Sequence, residues 1–402
     1  MGLEKIFAVC APGLESFVRA ELSGLGITPA PGPAIPGGVE FEAGLERIYL
    51  ANLWLRTASR ITVRLGEFLA VGFQELIRKT RNLEWGRFLN PDVAVKLSVT
   101  CRSSRLYHSG AVAERIRTAI REKMGTVLFD DIPGIQADEA DRDGVGEENR
   151  EPSSNRAVQL VIVRIHKDIC TLSIDSSGDL LHKRGYRLET AKAPLRETLA
   201  AAVIMASGWD RKSALMDPFC GSGTIPIEAG MMARNLPPGR KRDFAFMRWP
   251  GFDRALWDAM LRNSGEKTGD CPLMFGSDRD EGAVAIALRN AARAGLSDFV
   301  RFERGAVSDF SPPEGSKPGW IVTNPPYGVR VSGGKDLRNL YARFGAVVRE
   351  KFSGWRCAVI TADRSLAGHT KLGFDKTPVF ESNNGGLKVR CHATAAPVGG
   401  RA

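Results

Sequence analysis

From about residue 190 onward, short apolar runs alternate with helical patterns, and this alternation constrains the fold more than any other feature. The runs fall at 214–216, 273–275, 300–302, 321–323 and 357–360, and helical spacing covers 196–207, 224–234, 280–294 and 336–352. Apolar runs joined by crossovers of helical length predict a parallel sheet with helices on its faces. Open sheets of this kind bind ligands beyond the carboxyl ends of their strands. The residues that follow each run are therefore the first place to look for chemistry.

The first run leads into Asp217-Pro218-Phe219-Cys220-Gly221-Ser222-Gly223-Thr224 and then a helix. Glycines let a backbone approach a ligand, and a helix N-terminus offers unpaired N–H groups. The pattern is neither the full dinucleotide fingerprint nor a P-loop, because no Lys follows Gly223. Taken alone it is equally well a tight turn. The second run ends at Asp278-Arg279. A carboxylate at the tip of a second strand can hold both ribose hydroxyls of a nucleoside cofactor; the alternative role for Asp278 is a helix N-cap. Its distance from Asp217 far exceeds the usual ~20 residues, and an insertion over 236–272 fills the gap. That insertion holds Arg240, Lys241 and Arg242 with Phe244, Phe246, Trp249 and Trp257. These form either a basic-aromatic RNA platform or aromatic packing of the insertion onto the domain.

The fourth run stops on Asn324-Pro325-Pro326-Tyr327, followed by Gly328. Both prolines have fixed φ and no N–H, and the residue before each is pushed to extended geometry. The Asn324 amide and the neighbouring carbonyls are then held as acceptors, and Tyr327 presents a flat ring. That arrangement suits a flat heterocycle with an exocyclic NH2; the plain alternative is a stiff turn after a buried strand. Together, the glycine loop, the acidic strand tip and this clamp describe a nucleoside-type cofactor site beside an amine-binding site.

The remainder of the chain reads as α+β. Residues 1–65 hold candidate strands at 6–9, 39–42 and 61–63 and two helices. Residues 66–185 hold helices over 73–88 and 112–124 and strands at 93–99, 159–165 and 169–174. An acidic, Gly- and Arg-rich stretch at about 137–156 reads as a solvated, mobile insertion. The formal net charge of +10 favours an anionic partner such as nucleic acid. The seven cysteines are scattered without a Cys-x-x-Cys, which argues against a structural zinc site and a disulfide framework. No run reaches the roughly 20 apolar residues of a membrane span. The N-terminus lacks the apolar core of a signal peptide. The expectation is a cytoplasmic protein with no metal and no membrane partner.

Several stretches resemble one family. Lys183-Arg184-Gly185-Tyr186-Arg187, the run from Ala193 to Ala201, the Asp217 loop and Thr323-Asn324-Pro325-Pro326-Tyr327-Gly328 are similar to the ribosomal RNA guanine-N2 methyltransferases, the RlmL amino-terminal module and its relatives. Residues 7–15 and 51–60 are similar too. The resemblance implies a Rossmann-like class I methyltransferase domain over 190–402, preceded by a ferredoxin-like region over 1–65 and a THUMP RNA-binding domain over 66–185. It also implies a terminal hairpin, for which 379–381 and 387–390 qualify. The implied cofactor is S-adenosyl-L-methionine, held by Arg196, Glu197, Thr198, Asp217, Pro218, Phe219, Gly221, Gly223, Thr224, Asp278, Arg279, Asp309 and Asn324. Asp309 enters because the acidic residue often found after the third strand is Ala306 here. Asn324, Pro325, Pro326 and Tyr327 are the implied catalytic residues. Arg102, Arg105, Lys183, Arg184 and Arg187 are candidate RNA contacts. The implied substrate is structured RNA, ribosomal first and transfer RNA second. A DNA adenine-N6 methyltransferase and a non-catalytic RNA-binding assembly factor are the other readings.

Overall fold

The structure is a computed structural model that describes residues 2–32, 35–130, 158–189, 195–265, 271–327 and 337–399. The acidic stretch at about 137–156 lies outside the described residues. Two compact units form: residues 1–11, 18–181 and 243–260 make the first, and residues 12–17, 182–242 and 261–402 the second.

The first unit is built on a six-stranded sheet in the order β2-β1-β3-β6-β5-β4. Its strands are β1 (Glu4–Cys10), β2 (Gly38–Ala43), β3 (Ala58–Leu69), β4 (Ala94–Arg102), β5 (Val158–His166) and β6 (Ile169–Asp175). Its helices are α1 (Glu15–Gly24), whose residues 15–17 belong to the second unit, α2 (Leu45–Trp54), α3 (Phe73–Arg81) and α4 (Ser109–Met124). Only β4 and β5 run parallel; the other neighbours are antiparallel. Ile6, Ala8 and Cys10 of β1 are buried while Glu4, Lys5, Phe7 and Val9 are less so, the alternation of a sheet with one covered face. The boundary expected at residue 65 falls inside β3, which pairs with β1 on one side and β6 on the other. One sheet therefore runs through both expected N-terminal regions. The helix expected over 73–88 ends at Arg81, and a short 3-10 turn follows at Trp85–Arg87.

The second unit holds a seven-stranded sheet with β7 (Leu215–Asp217), β8 (Met274–Asp278), β9 (Val300–Arg304), β10 (Trp320–Thr323), β11 (Arg356–Thr361), β12 (Phe380–Asn384) and β13 (Leu387–Ala393), in the order β12-β13-β11-β10-β7-β8-β9. The β11-β10-β7-β8-β9 part is parallel, and β13 and β12 add antiparallel at the edge as the expected hairpin. The helices are α5 (Glu197–Ala206), α6 (Thr224–Ala233), α7 (Arg254–Asn263), α8 (Glu281–Ala294), α9 (Arg338–Lys351) and α10 (Arg364–His369). Residues 254–260 of α7 belong to the first unit. Leu215, Met216, Ile321, Val322, Ala358, Val359 and Ile360 are all buried, as central parallel strands covered on both faces must be. α6 is buried from Thr224 to Met232, which accounts for its apolar sequence all round.

The basic-aromatic insertion divides between the units. Phe246 stacks on Tyr49 at 4.3 Å between ring centroids, and Phe244 and Trp257 pack on Phe246 at 5.2 and 5.4 Å. The Trp249 indole N–H donates to Gln159 Oε1 at 3.0 Å. All four insertion aromatics are buried, so they offer no stacking face to RNA. They pack the insertion, and they pack it into the first unit. Arg240 donates to the Ala294 carbonyl and Lys241 to the Arg293 carbonyl, at the C-terminus of α8. There they satisfy open carbonyls and face the negative end of the helix dipole. The RNA-platform reading of 240–257 is therefore withdrawn.

Candidate active site

The strand order reverses between β7 and β10, so their carboxyl ends lie side by side at a topological switch point. The Thr323 hydroxyl at the end of β10 donates to Asp217 Oδ1 at the end of β7. The Phe219 N–H donates to the same oxygen at 3.0 Å. Burial pushes the Asp217 carboxyl up to about 7, against the pull of these two donors and with a further push from Asp278. Thr323 could have been found from sequence: it is the one polar residue in the fourth run.

The glycine loop is tied to the neighbouring strands through its backbone. Cys220 N–H donates to Ser277 O, and Gly221 N–H to Asp278 Oδ2, each at 3.0 Å. Asp278 Oδ1 accepts from Asp280 N–H at 3.0 Å, and Asp278 O accepts from Gly305 N–H at 3.0 Å. The cap of α8 is Asp280, whose Oδ1 accepts from Gly282 and Ala283 N–H. The N-cap alternative for Asp278 is thereby removed. Gly223 has φ +85° at the N-cap of α6, and a Cβ there would lie 2.8 Å from the Phe302 ring and 2.9 Å from Ala287 Cβ. Gly221 has φ +51°, yet a Cβ on it would meet nothing within 4 Å. The loop thus has one glycine for close packing and one facing open space. α6 begins directly after it, with Pro226 in a first turn that has no helical acceptor for its N–H groups.

At the tip of β10, Asn324 Oδ1 is buried with no hydrogen-bond partner among the described residues. Leaving such an acceptor unmade costs about 1–3 kcal/mol, so the position suits a donor brought by a ligand. Pro325 is buried, Pro326 partly so, and Tyr327 is 8% exposed. Gly328 lies outside the described residues.

The other expected site residues scatter more. Arg196 is the N-cap of α5, Thr198 lies buried in its first turn, and Arg279 is exposed after β8. Asp309 is exposed on a turn closed by its own N–H to Ala306 O at 2.9 Å. Glu197 is 1% exposed and pairs with Arg187 at 3.1 Å. Arg184 and Arg187 require correction as RNA contacts. The Arg184 side chain is 1% exposed and sits 3.5 Å from Glu228; the Arg187 side chain is 7% exposed. Arg187 also donates to Leu195 O at 2.6 Å, and the Tyr186 hydroxyl donates to Glu228 at 3.1 Å. A buried carboxylate needs such partners, and a guanidinium so placed cannot reach a phosphate. The alternating Lys-Arg-Gly-Tyr-Arg pattern put two cations inside and left Lys183 exposed. Arg102 and Arg105 are exposed at the end of β4.

A family of RMKL-like methyltransferase domains matches residues 184–391, and the RlmL ferredoxin-like domain matches residues 5–62. The chain belongs to this methyltransferase family. A putative RNA methyltransferase from Synechocystis is 32% identical over 386 residues, covering 95% of this chain and 94% of the relative. A ribosomal RNA large subunit methyltransferase K/L from Syntrophotalea carbinolica is 34% identical over 397 residues, covering 96% of this chain and 53% of the relative. The chain thus spans about half the length of the K/L relatives it matches. Among solved structures, SMU.472, a putative methyltransferase complexed with S-adenosylhomocysteine, superposes with a TM-score of 0.83 at 30% identity over 100% of both chains. A predicted N6-adenine-specific DNA methylase from Listeria monocytogenes superposes with a TM-score of 0.81 at 31% identity, covering 99% of this chain and 97% of that one. The fold is mixed α/β, with a Rossmann-like methyltransferase domain and an N-terminal ferredoxin-like domain.

Proposed function

We propose that this methyltransferase transfers a methyl group from S-adenosylmethionine to the exocyclic N2 of a guanine in RNA, with large-subunit ribosomal RNA as the substrate. The observation that carries the reading is the unpartnered Asn324 Oδ1 at the tip of β10, next to Asp217 and the glycine loop across the switch point. The open face at Gly221 and the start of α6 fit a cofactor with a charged amino-acid end, and Asp278 fits its ribose. Bound there, S-adenosylmethionine would supply an electrophilic methyl group. The K/L and Synechocystis relatives support RNA as the substrate.

The residues act as follows. A guanine amine is a poor nucleophile because its lone pair is delocalised into the ring. Asn324 Oδ1 accepts a hydrogen bond from one amine N–H, which concentrates charge on nitrogen as it pyramidalises, and the surplus amine proton passes to water after the N–C bond has formed. Tyr327, largely buried beside Asn324, walls the base pocket, and the rigid Pro325-Pro326 turn fixes both groups. Alignment removes entropic cost and fixed dipoles favour the developing charge. The base must leave its stack to enter such a pocket.

The test is methyl incorporation by the purified chain from labelled S-adenosylmethionine into protein-free large-subunit rRNA, tRNA and duplex DNA in parallel, followed by nucleoside analysis. N2-methylguanosine in the rRNA is expected. The Listeria methylase motivates the DNA arm. N6-methyladenine in the duplex, with no label in either RNA, would overturn the reading.

A further inference from the structure

Among the described residues, no backbone hydrogen bond holds the Asn324–Tyr327 loop. Pro325 and Pro326 have no N–H, so the segment cannot be pinned by a ladder. Two side chains from distant parts of the second unit reach it instead. Tyr341, on α9, is 1% exposed, and its hydroxyl lies 3.3 Å from Pro326 O and 3.3 Å from Thr361 Oγ1 at the end of β11. A carbonyl only accepts, so the contact with Pro326 O takes the phenol proton, while the Thr361 hydroxyl has its own carbonyl acceptor, Asp363 O, at 3.4 Å. Asn384, the last residue of β12, donates its Nδ2 to the Tyr327 phenol oxygen at 3.3 Å.

Volume alone does not explain these groups. A phenylalanine at 341 would fill the same core without burying a hydroxyl, and a buried hydroxyl is costly unless it is bonded. Burial pushes both phenols up, so Tyr341 keeps the proton it donates. The two contacts fall on successive residues, on the carbonyl of Pro326 and the ring of Tyr327. They come from two separate elements that follow β10: the helix between β10 and β11, and the antiparallel edge hairpin.

We infer that Tyr341 and Asn384 are positioning residues that brace the Pro326–Tyr327 segment at two points, so that the Asn324 acceptor and the Tyr327 ring keep one geometry toward the substrate amine. This rests on the amine-methylation reading above.

The experiment uses the full chain with Tyr341→Phe, Asn384→Ala, Tyr327→Phe and the Asn384→Ala/Tyr327→Phe double variant. Single-turnover methyl transfer to large-subunit rRNA is measured at saturating S-adenosylmethionine, with S-adenosylhomocysteine affinity and melting temperature on the same samples. Tyr341→Phe should lower the rate about tenfold, the effect of one lost hydrogen bond, with cofactor affinity unchanged. The double variant should be no slower than Tyr327→Phe, because the two groups act as one contact. A purely structural role would lower the melting temperature and leave the rate of the folded enzyme intact. A second readout needs no turnover: crystal structures of wild type and Tyr341→Phe, in which the Pro326 carbonyl should shift relative to β10. An unchanged rate, or a loop that superposes in the variant, overturns the brace. If the wild type methylates no nucleic acid, the proposed function fails by itself, and the crystallographic comparison still decides the brace.

Discussion

The two sheets of this protein place polar residues by different rules. In the first unit, strands such as β5 alternate buried and more exposed residues along their length, and polar side chains such as Arg164 and His166 stand on the more exposed face within the strand. In the second unit the central strands are buried throughout, and polar groups are forced to the strand ends. Asp217, Asp278, Thr323 and Asn324 are the result: four polar residues at the carboxyl ends of three adjacent parallel strands. A sheet covered on both faces concentrates chemistry at one edge, and a sheet with an open face distributes it.

Substitutions at the strand tips should therefore have large, separable effects. Asn324→Ala should reduce single-turnover methyl transfer by roughly 10²–10³, if losing this acceptor resembles losing an oxyanion-hole donor. Cofactor affinity should stay nearly intact, and measuring both on one folded sample checks the separation. A near-normal rate would leave the proline turn as structure only.

Asp278→Ala comes next. Its carboxylate holds the Gly221 N–H and is the candidate ribose ligand. Losing a charged hydrogen bond there should cost about 1.5–3 kcal/mol of cofactor binding. Calorimetric titration with S-adenosylhomocysteine reads this directly, and RNA affinity should hold.

On the open sheet, single changes should do less. Arg105→Ala, at a side chain 74% exposed, should weaken RNA binding a few-fold and reduce the salt slope by about 1. The rate at saturating RNA should not change. An effect on that rate with affinity preserved would break the contrast between the two sheets. Full-length protein is required, because residues 243–260 pack into the first unit and a fragment ending near 185 would expose Tyr49.

The smallest expected effect is on stability. Burial raises the Glu197 carboxyl to about 7 in the folded chain, outweighing its Arg187 partner. In the unfolded chain it titrates at about 4.3. Between those values the folded state holds more protons, so this group's contribution to stability falls as pH rises from about 4 to about 7. Glu197→Gln should flatten the decline of melting temperature with pH over that window. A variant whose pH profile overlays wild type would remove Glu197 as its source.

The strands and helices of the second unit were legible because each follows a local rule: a short apolar run, a glycine turn, or a helical period of adequate length. Asp217, Gly221, Gly223, Asp278 and Asn324 were legible as site candidates because strand ends announce themselves in such a pattern. Arg184 and Arg187 misled because a charged residue reads as surface until its buried partner is known. Glu228, the partner of Arg184, lies four residues into an otherwise apolar helix, where nothing local marks it. The six-stranded sheet was also hidden, since pairing of β3 with β1 and β6 is decided by residues far apart in the chain.

Sequence alone determined the periodicities, the stiffness of the Asn-Pro-Pro-Tyr turn and the position of each motif after its strand. These are set by backbone sterics and by side chains within a few residues of one another. Tertiary structure alone decided which strand tips became neighbours, which cations were buried, and that Tyr341 and Asn384 meet the Asn324–Tyr327 loop. Such contacts depend on strand order and on desolvation, which arise only when distant segments pack together.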